Sequence, residues 1–232
     1  MIPLTLMRLT AFLRGGRVLA PLIAGLVLLG ILHGGGASPA APVYGYSAVA
    51  LFPVFAWLTK VVLDTEPDVQ RRLARVTVGP VRELLAGMLA AATAGLVLAA
   101  AAIVVPFMLG AVRGPEPGSA EPSTAVGVGL GVLAHVLSLT AGVALGALAS
   151  RAVTRTVRNG VTVLVSGAVL GVVLGLRGSA APWLVPPLMA TARALARSPL
   201  PSAGTFWLLS AGVLAWSAAV LGAYGWLRRR RG

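Results

Sequence analysis

Few residues in this sequence could do chemistry. Cysteine is absent, and histidine occurs only at His33 and His135. Thiol nucleophiles, disulfides and cysteine-based metal sites are therefore excluded. Neither histidine has a glutamate beside it, which removes the zinc-protease helix motif. The one lysine, Lys60, follows Thr59, whereas a phosphate-binding loop needs Gly-Lys-Ser/Thr. No serine lies in a Gly-x-Ser-x-Gly elbow. The six carboxylates are Asp64, Glu66, Asp68, Glu83, Glu116 and Glu121, all at the ends of apolar segments or in loops. Proton- and sodium-driven carriers hold such groups near the middle of the membrane. No catalytic, cofactor-binding or metal-binding residue is expected, and the missing mid-membrane carboxylates weigh against a secondary transporter that powers itself.

The elements that carry these residues follow from composition. Of 232 residues, 57% are hydrophobic and 11% charged, and the mean hydropathy is +0.91. Soluble domains average about 45–50% apolar and about 25% charged. A soluble fold of this size could not hide so much apolar surface, so lipid must be part of the solvent. Apolar segments run over 18–32, 44–63, 84–112, 125–150, 161–176 and 205–227. A spanning helix needs roughly 20 residues, which leaves the first and fifth slightly short and the third with length to spare. Pro21, Pro53 and Pro106 predict local kinks. Residues 1–17 carry Arg8, Arg14 and Arg17, with Leu6, Leu9 and Leu13 at helical spacing. That pattern predicts an amphipathic helix lying on the membrane surface.

The net charge of +13 comes from 19 basic and 6 acidic residues. In a soluble chain it would suggest nucleic acid, but its placement suggests orientation. With the N-terminus inside, the inner pieces hold fifteen of the 19 basic residues. Only Arg113, Arg177, Arg193 and Arg197 remain outside. The positive-inside rule selects six crossings with both termini in the cytoplasm. A secretory signal peptide, cleaved near Ser38-Pro39-Ala40, would remove one span without reorienting the rest. The expected fold is an all-α integral membrane protein forming one transmembrane domain. The Ala, Gly, Val, Leu and Arg bias suggests a high-GC bacterium and its cell membrane. No nucleic-acid partner is expected.

Two stretches are not simple spans. Residues 64–80 pass from acidic (Asp64, Glu66, Asp68) to basic (Arg71, Arg72, Arg75), and Val69, Leu73 and Val76 share a helical face. Thr65 is expected to cap this helix, and Gly79-Pro80 to end it. It is either a headgroup-binding linker or a docking helix for a cytoplasmic partner. Residues 178–204 contain five prolines, too many to span, yet Trp183, Leu184, Val185, Leu188 and Met189 are too apolar for a solvated loop. A re-entrant or interfacial hairpin on the outer side is expected, with a short helix from Leu188 and with Arg193 and Arg197 facing headgroups or water.

His135 is the one ionisable residue well inside an apolar segment, and shares a helical face with Gly127 and Gly131. Small residues at that spacing mark a helix–helix seam, so a hydrogen bond to a neighbouring helix is expected, and a substrate or proton role is the alternative. Gly142/Gly146 and Gly167/Gly171/Gly175 repeat the spacing, which predicts close packing of the fourth and fifth spans. Arg228, Arg229, Arg230 and Arg231 form an inner-leaflet stop signal.

The order of parts resembles the permease subunits of type-two ATP-binding-cassette exporters. The residues that carry the likeness are 63–72, Leu-Asp-Thr-Glu-Pro-Asp-Val-Gln-Arg-Arg, and 79–87, Gly-Pro-Val-Arg-Glu-Leu-Leu-Ala-Gly. The resemblance implies that Asp64, Glu66, Asp68, Val69, Arg71, Arg72, Leu73 and Arg75 form a coupling helix for a separate ATPase, which would hold ATP and magnesium. It also implies a second permease copy, identical or related, facing this one around a pathway. The hairpin bearing Trp183, Leu188, Arg193 and Arg197 would shape the outer gate, and the cargo would be hydrophobic or amphipathic. Haem-export membrane subunits share the build. A non-transport scaffold docking a cytoplasmic partner or lipid is the competing reading, followed by an intramembrane enzyme.

Overall fold

Ten α-helices make up most of the computed structural model, which describes residues 2–231 and every side chain among them except those of Asp68 and Arg231. Helix α1 (Ile2–Arg14) is followed by α2 (Leu19–His33), α3 (Ala40–Leu63), α4 (Asp68–Val78) and α5 (Pro80–Met108). Then come α6 (Thr124–Leu148), a single turn α7 (Arg151–Thr154), α8 (Val157–Val173), α9 (Leu188–Leu195) and α10 (Ala203–Arg231). Every expected apolar segment is a helix, and so are the two surface helices.

Four helices are long and apolar enough to cross a membrane: α3, α5, α6 running into α7, and α10. A fifth is reached if α1 and α2, bent 76° from one another, count as one broken span. Helix α2 has 15 residues and α8 has 17, at or below the lower end of the spanning range. The protein is all-helical, with the apolar helices of a membrane protein. Their outward faces are apolar: Ile31, Trp207 and Leu208 are each more than 70% exposed.

Helices α3 and α6 form the centre. The apolar stretch of α3 is 67% buried and that of α6 with α7 is 56% buried, against 33% for α5 and 22% for α10. Glycine explains the closeness of this central pair. A methyl group at Gly142 would lie 2.5 Å from Phe55 Cβ, and one at Gly127 would lie 2.8 Å from Ala40 Cβ. At Gly131 and Gly146 it would collide with Tyr44 and with the Ala56 carbonyl. The glycine stripe of α6 therefore seats α3, the second apolar segment. In α8, Gly167 faces Leu145 of α6 and Gly171 faces Phe52 of α3. Without a hydrophobic driving force in lipid, such close contact is what dispersion attraction requires.

Two of the prolines leave their helices continuous, Pro53 within α3 and Pro106 within α5, while Pro21 sits in the first turn of α2. The Tyr44 hydroxyl donates to the Ile103 carbonyl at 2.9 Å, just before Pro106. At the end of the bundle that includes His33 and Met108, which we term apical, a two-residue parallel bridge pairs β1 (Ser38–Pro39) with β2 (Val112–Arg113). It ties the link between α2 and α3 to the link between α5 and α6.

Candidate functional site

The opposite, basal end gathers α1, α4, α7 and the C-terminal end of α10 around three buried carboxylates, Asp64, Glu66 and Glu83. Glu83, in the first turn of α5, is 1% exposed. Its Oε1 accepts from Arg8 Nη2 of α1 at 2.7 Å, and its Oε2 accepts from Arg228 Nη2 of α10. Arg75 of α4 stands 3.6 Å from the same oxygen. Arg8 also donates to Glu66 Oε2 at 2.5 Å and to the Glu83 carbonyl at 2.9 Å. Gly87 leaves room for this guanidinium, since a Cβ there would stand 2.5 Å from Arg8 Nη1. Burial works against the Arg8 cation, yet the hydrogen bonds to Glu66 and Glu83 outweigh it and raise its pKa. Burial, then repulsion from Arg228, lowers that of Arg75.

A second basal cluster centres on Asp64, at the C-terminal end of α3. Its Oδ2 accepts from Lys60 Nζ at 2.6 Å, one helical turn earlier. Its Oδ1 accepts from the Arg151 backbone N–H at 2.8 Å, and the Arg151 guanidinium returns to the Asp64 carbonyl. Asp64 thus fastens α3 to α7, Glu66 fastens the link between α3 and α4 to α1, and Glu83 fastens α5 to α1, α4 and α10.

These contacts sort the residues expected to dock a partner. Asp64 and Glu66 are buried and used internally. Arg71 is also buried, and Arg75 turns toward Glu83. Asp68 belongs to α4 by its backbone, and its side chain lies outside the described residues. The outward face of α4 carries Val69 and Leu73, 69% and 61% exposed, with Val76 and Arg72 also exposed. The amphipathic helix is present, then, but with Arg71 and Arg75 directed inward and its aliphatic residues, with Arg72, outward. The same holds for α1, where Thr5, Arg8 and Phe12 are buried and Leu6 and Leu13 are exposed. Thr65 does not cap α4. Its hydroxyl bonds back to the Val61 carbonyl at 2.8 Å, and the helix starts after Pro67 without a side-chain cap.

The apical hairpin is packed into the bundle rather than laid over it. Leu188 and Ala192 of α9 join the core cluster around Val49, Phe52 and Leu137. At Gly45 of α3, a Cβ would stand 3.2 Å from Ala192 Cα. Arg193 points inward, not toward headgroups. It donates to the Gly175 carbonyl at 2.8 Å and so satisfies the C-terminal end of α8, where a cation is favoured. Arg197 is exposed, and Trp183 is 76% exposed. Nearby, the Trp216 indole donates to the Leu184 carbonyl.

His135 bonds through Nδ1 to the Gly131 carbonyl at 2.8 Å and through Nε2 to Ser47 Oγ of α3 at 3.2 Å. That second contact is the interhelical bond expected for it. Among the described residues no group of three or more His, Cys, Asp or Glu side chains could hold a metal.

Sequence reading alone found neither the association of Arg8 and Arg228 with Glu83 nor that of Arg151 with Asp64. Only Glu83 carried a signal, being the one carboxylate at the start of a long apolar helix.

Between α2 and α8, which both pack against α3, lies an open-sided cavity of about 1130 Å³. Its walls are aliphatic except for Trp57 and Lys60, and Lys60 marks its basal end. It is larger than the roughly 300–1,000 Å³ of a typical small-molecule pocket.

No protein-family model, curated protein or solved structure matches this chain.

Proposed function

We propose that this chain is the permease subunit of an ATP-driven exporter of the type-two ATP-binding-cassette kind. Helices α2, α3, α5, α6, α8 and α10 are the six crossings, and the basal end faces the cytoplasm of a bacterial cell. Support for the orientation is the convergence of α1, α4, α7 and the C-terminal end of α10 at one end, through Glu66, Glu83 and Asp64. The segments meeting there hold most of the basic residues. The two short helices span with help from flanking residues and local thinning.

The observation that carries the reading is the way α4 is held. Its inner face is tied to α5 through Arg75 and Glu83, and that same glutamate ties α5 to α1 and α10. Its outer face presents Val69, Arg72, Leu73 and Val76. A partner gripping that face would move the basal ends of three other helices with it. ATP and magnesium would reside on this separate ATPase, and a second permease copy would complete the pathway. Cargo would be hydrophobic or amphipathic.

The exposed apolar face of α4 also suits the alternative, a non-transport scaffold. Purification of tagged chain from its host separates the two. The permease reading expects an ATPase to be retained, with hydrolysis stimulated by the chain. The pair Arg72→Glu and Leu73→Asp, both on the outward face, should abolish retention and stimulation while the chain remains folded. Transport by the purified chain without nucleotide, or unchanged ATPase retention in the double variant, would contradict the proposal.

A further inference from the structure

We infer that the cavity between α2 and α8 is a binding site for an anionic amphiphile, with its acyl chain along the cavity and its acidic headgroup at Lys60. Three observations lead there. First, the walls are continuous and apolar: Ile31 and Val27 of α2 face Val161, Val165 and Val169 of α8 across Val54 of α3. The α8 wall from Val157 to Val173 rises about 24 Å, more than the roughly 15 Å of one leaflet's hydrocarbon. Most of these valines and isoleucines have one preferred rotamer, so lining a hydrocarbon chain costs them little entropy.

Second, the only charge on the lining is Lys60. Its ammonium has three donors, and one goes to Asp64 Oδ2. The Asp64 carboxylate is itself taken up by Lys60 and by the Arg151 backbone. Gly160, in the first turn of α8, makes room for the lysine tip: a Cβ there would stand 2.8 Å from Lys60 Cε and 3.1 Å from Nζ.

Third, the basal mouth is basic. Arg155 and Arg158 are exposed on either side of the residue that opens α8, and the positive end of that helix adds to their field. No acidic residue follows Glu121 in the sequence. The one carboxylate nearby, Asp64, is already taken up by Lys60 and the Arg151 backbone. The cation of a zwitterionic headgroup therefore gains no partner and is repelled by the two arginines at the mouth, while a net-anionic phosphate headgroup is favoured by Lys60 and by their field. The occupant is an anionic phospholipid from the basal leaflet. As a cargo site this cavity rests on the permease reading; as a binding site it does not.

The test uses the full chain alone, purified in mild detergent and exchanged with equal phosphatidylglycerol and phosphatidylcholine, with bound lipid counted by native mass spectrometry. Phosphatidylglycerol should be retained with a roughly fivefold preference, the effect of one basic residue at an anionic headgroup. Lys60→Gln should remove that preference. Because Lys60→Gln also disturbs Asp64, Val165→Trp provides a second arm: it obstructs the cavity midway along α8, far from any charge, and should reduce retention of both lipids. Equal retention of the two lipids by the unaltered chain, or unchanged retention in Val165→Trp, would overturn the inference. So would efficient disulfide cross-linking of Val165→Cys between two copies in membranes, which gives the cavity to a second chain. No ATPase is present, so failure here leaves the docking experiment on α4 intact.

Discussion

The basal end and the central seam of this molecule are held by opposite means. At the basal end, long side chains from α1, α4 and α10 converge on Glu83, and charge substitutes for shape. Along the seam between α3 and α6, glycine removes side chains altogether, and its positions on α6 lie directly against Ala40, Tyr44, Phe55, Ala56 and Thr59 of α3. A seam of this kind has one register and resists sliding. An ion cluster tolerates small displacements of its members and fails when one is lost. The seam is therefore the fixed frame, and the basal cluster is the part through which force on α4 can reach the rest.

Removing the hub should show this contrast most strongly. Glu83→Ala leaves Arg8 and Arg228 without their shared carboxylate, and breaking a buried pair costs about 3–5 kcal/mol. Thermal unfolding in lipid nanodiscs should fall sharply, and protease should cut between α3 and α5. Gly142→Val attacks the frame instead. Overpacking costs about 1–3 kcal/mol, and proximity cross-links between α3 and α6 should weaken while those between α1 and α5 persist. Equal loss of both sets of links would erase the distinction between hub and frame.

The joint between α4 and α5 is subtler. Gly79 has φ +87° and ψ 156°, a region open essentially to glycine. Gly79→Ala should cost about 1–3 kcal/mol, read as faster hydrogen exchange in α4 with the seam unchanged. On the seam itself, Ser47→Ala removes the bond to His135 and should cost about 0.6 kcal/mol, the usual worth of an interhelical hydrogen bond in a membrane. The smallest effect is apical. Hydrogen bonds from Arg113, then from the Glu116 backbone, lower the pKa of Glu121. A lowered carboxylate pKa gives a contribution present above the unfolded value and lost as pH falls through the folded one. Acidification below the ordinary carboxylate range of about 4.3 should loosen the loop between α5 and α6, seen as amide exchange there and not at the basal end.

Much of this was legible in the sequence, for identifiable reasons. Apolar length located the six helices, and the acidic-to-basic switch after Leu63 located α4. Glycine spacing marked the seam face of α6, although it could not say that α3 was the partner. The inward turn of Arg8, Arg71 and Arg75 was not legible. Periodicity reports which residues share a face, and a lipid-exposed helix reverses the usual rule for which face is buried. Arg193 was missed similarly, because its carbonyl partner at Gly175 is 18 residues away. The association of Arg8 with Glu83 and Arg228 spans 75 and 145 residues, beyond any local pattern.

The absence of cysteine makes the decisive measurement clean. Arg72→Cys introduces one thiol on the outward face of α4. A membrane-impermeant maleimide should label it in inverted vesicles and leave it unlabelled in intact cells. Labelling in intact cells would place α4 on the far side of the membrane from any ATPase and contradict the account.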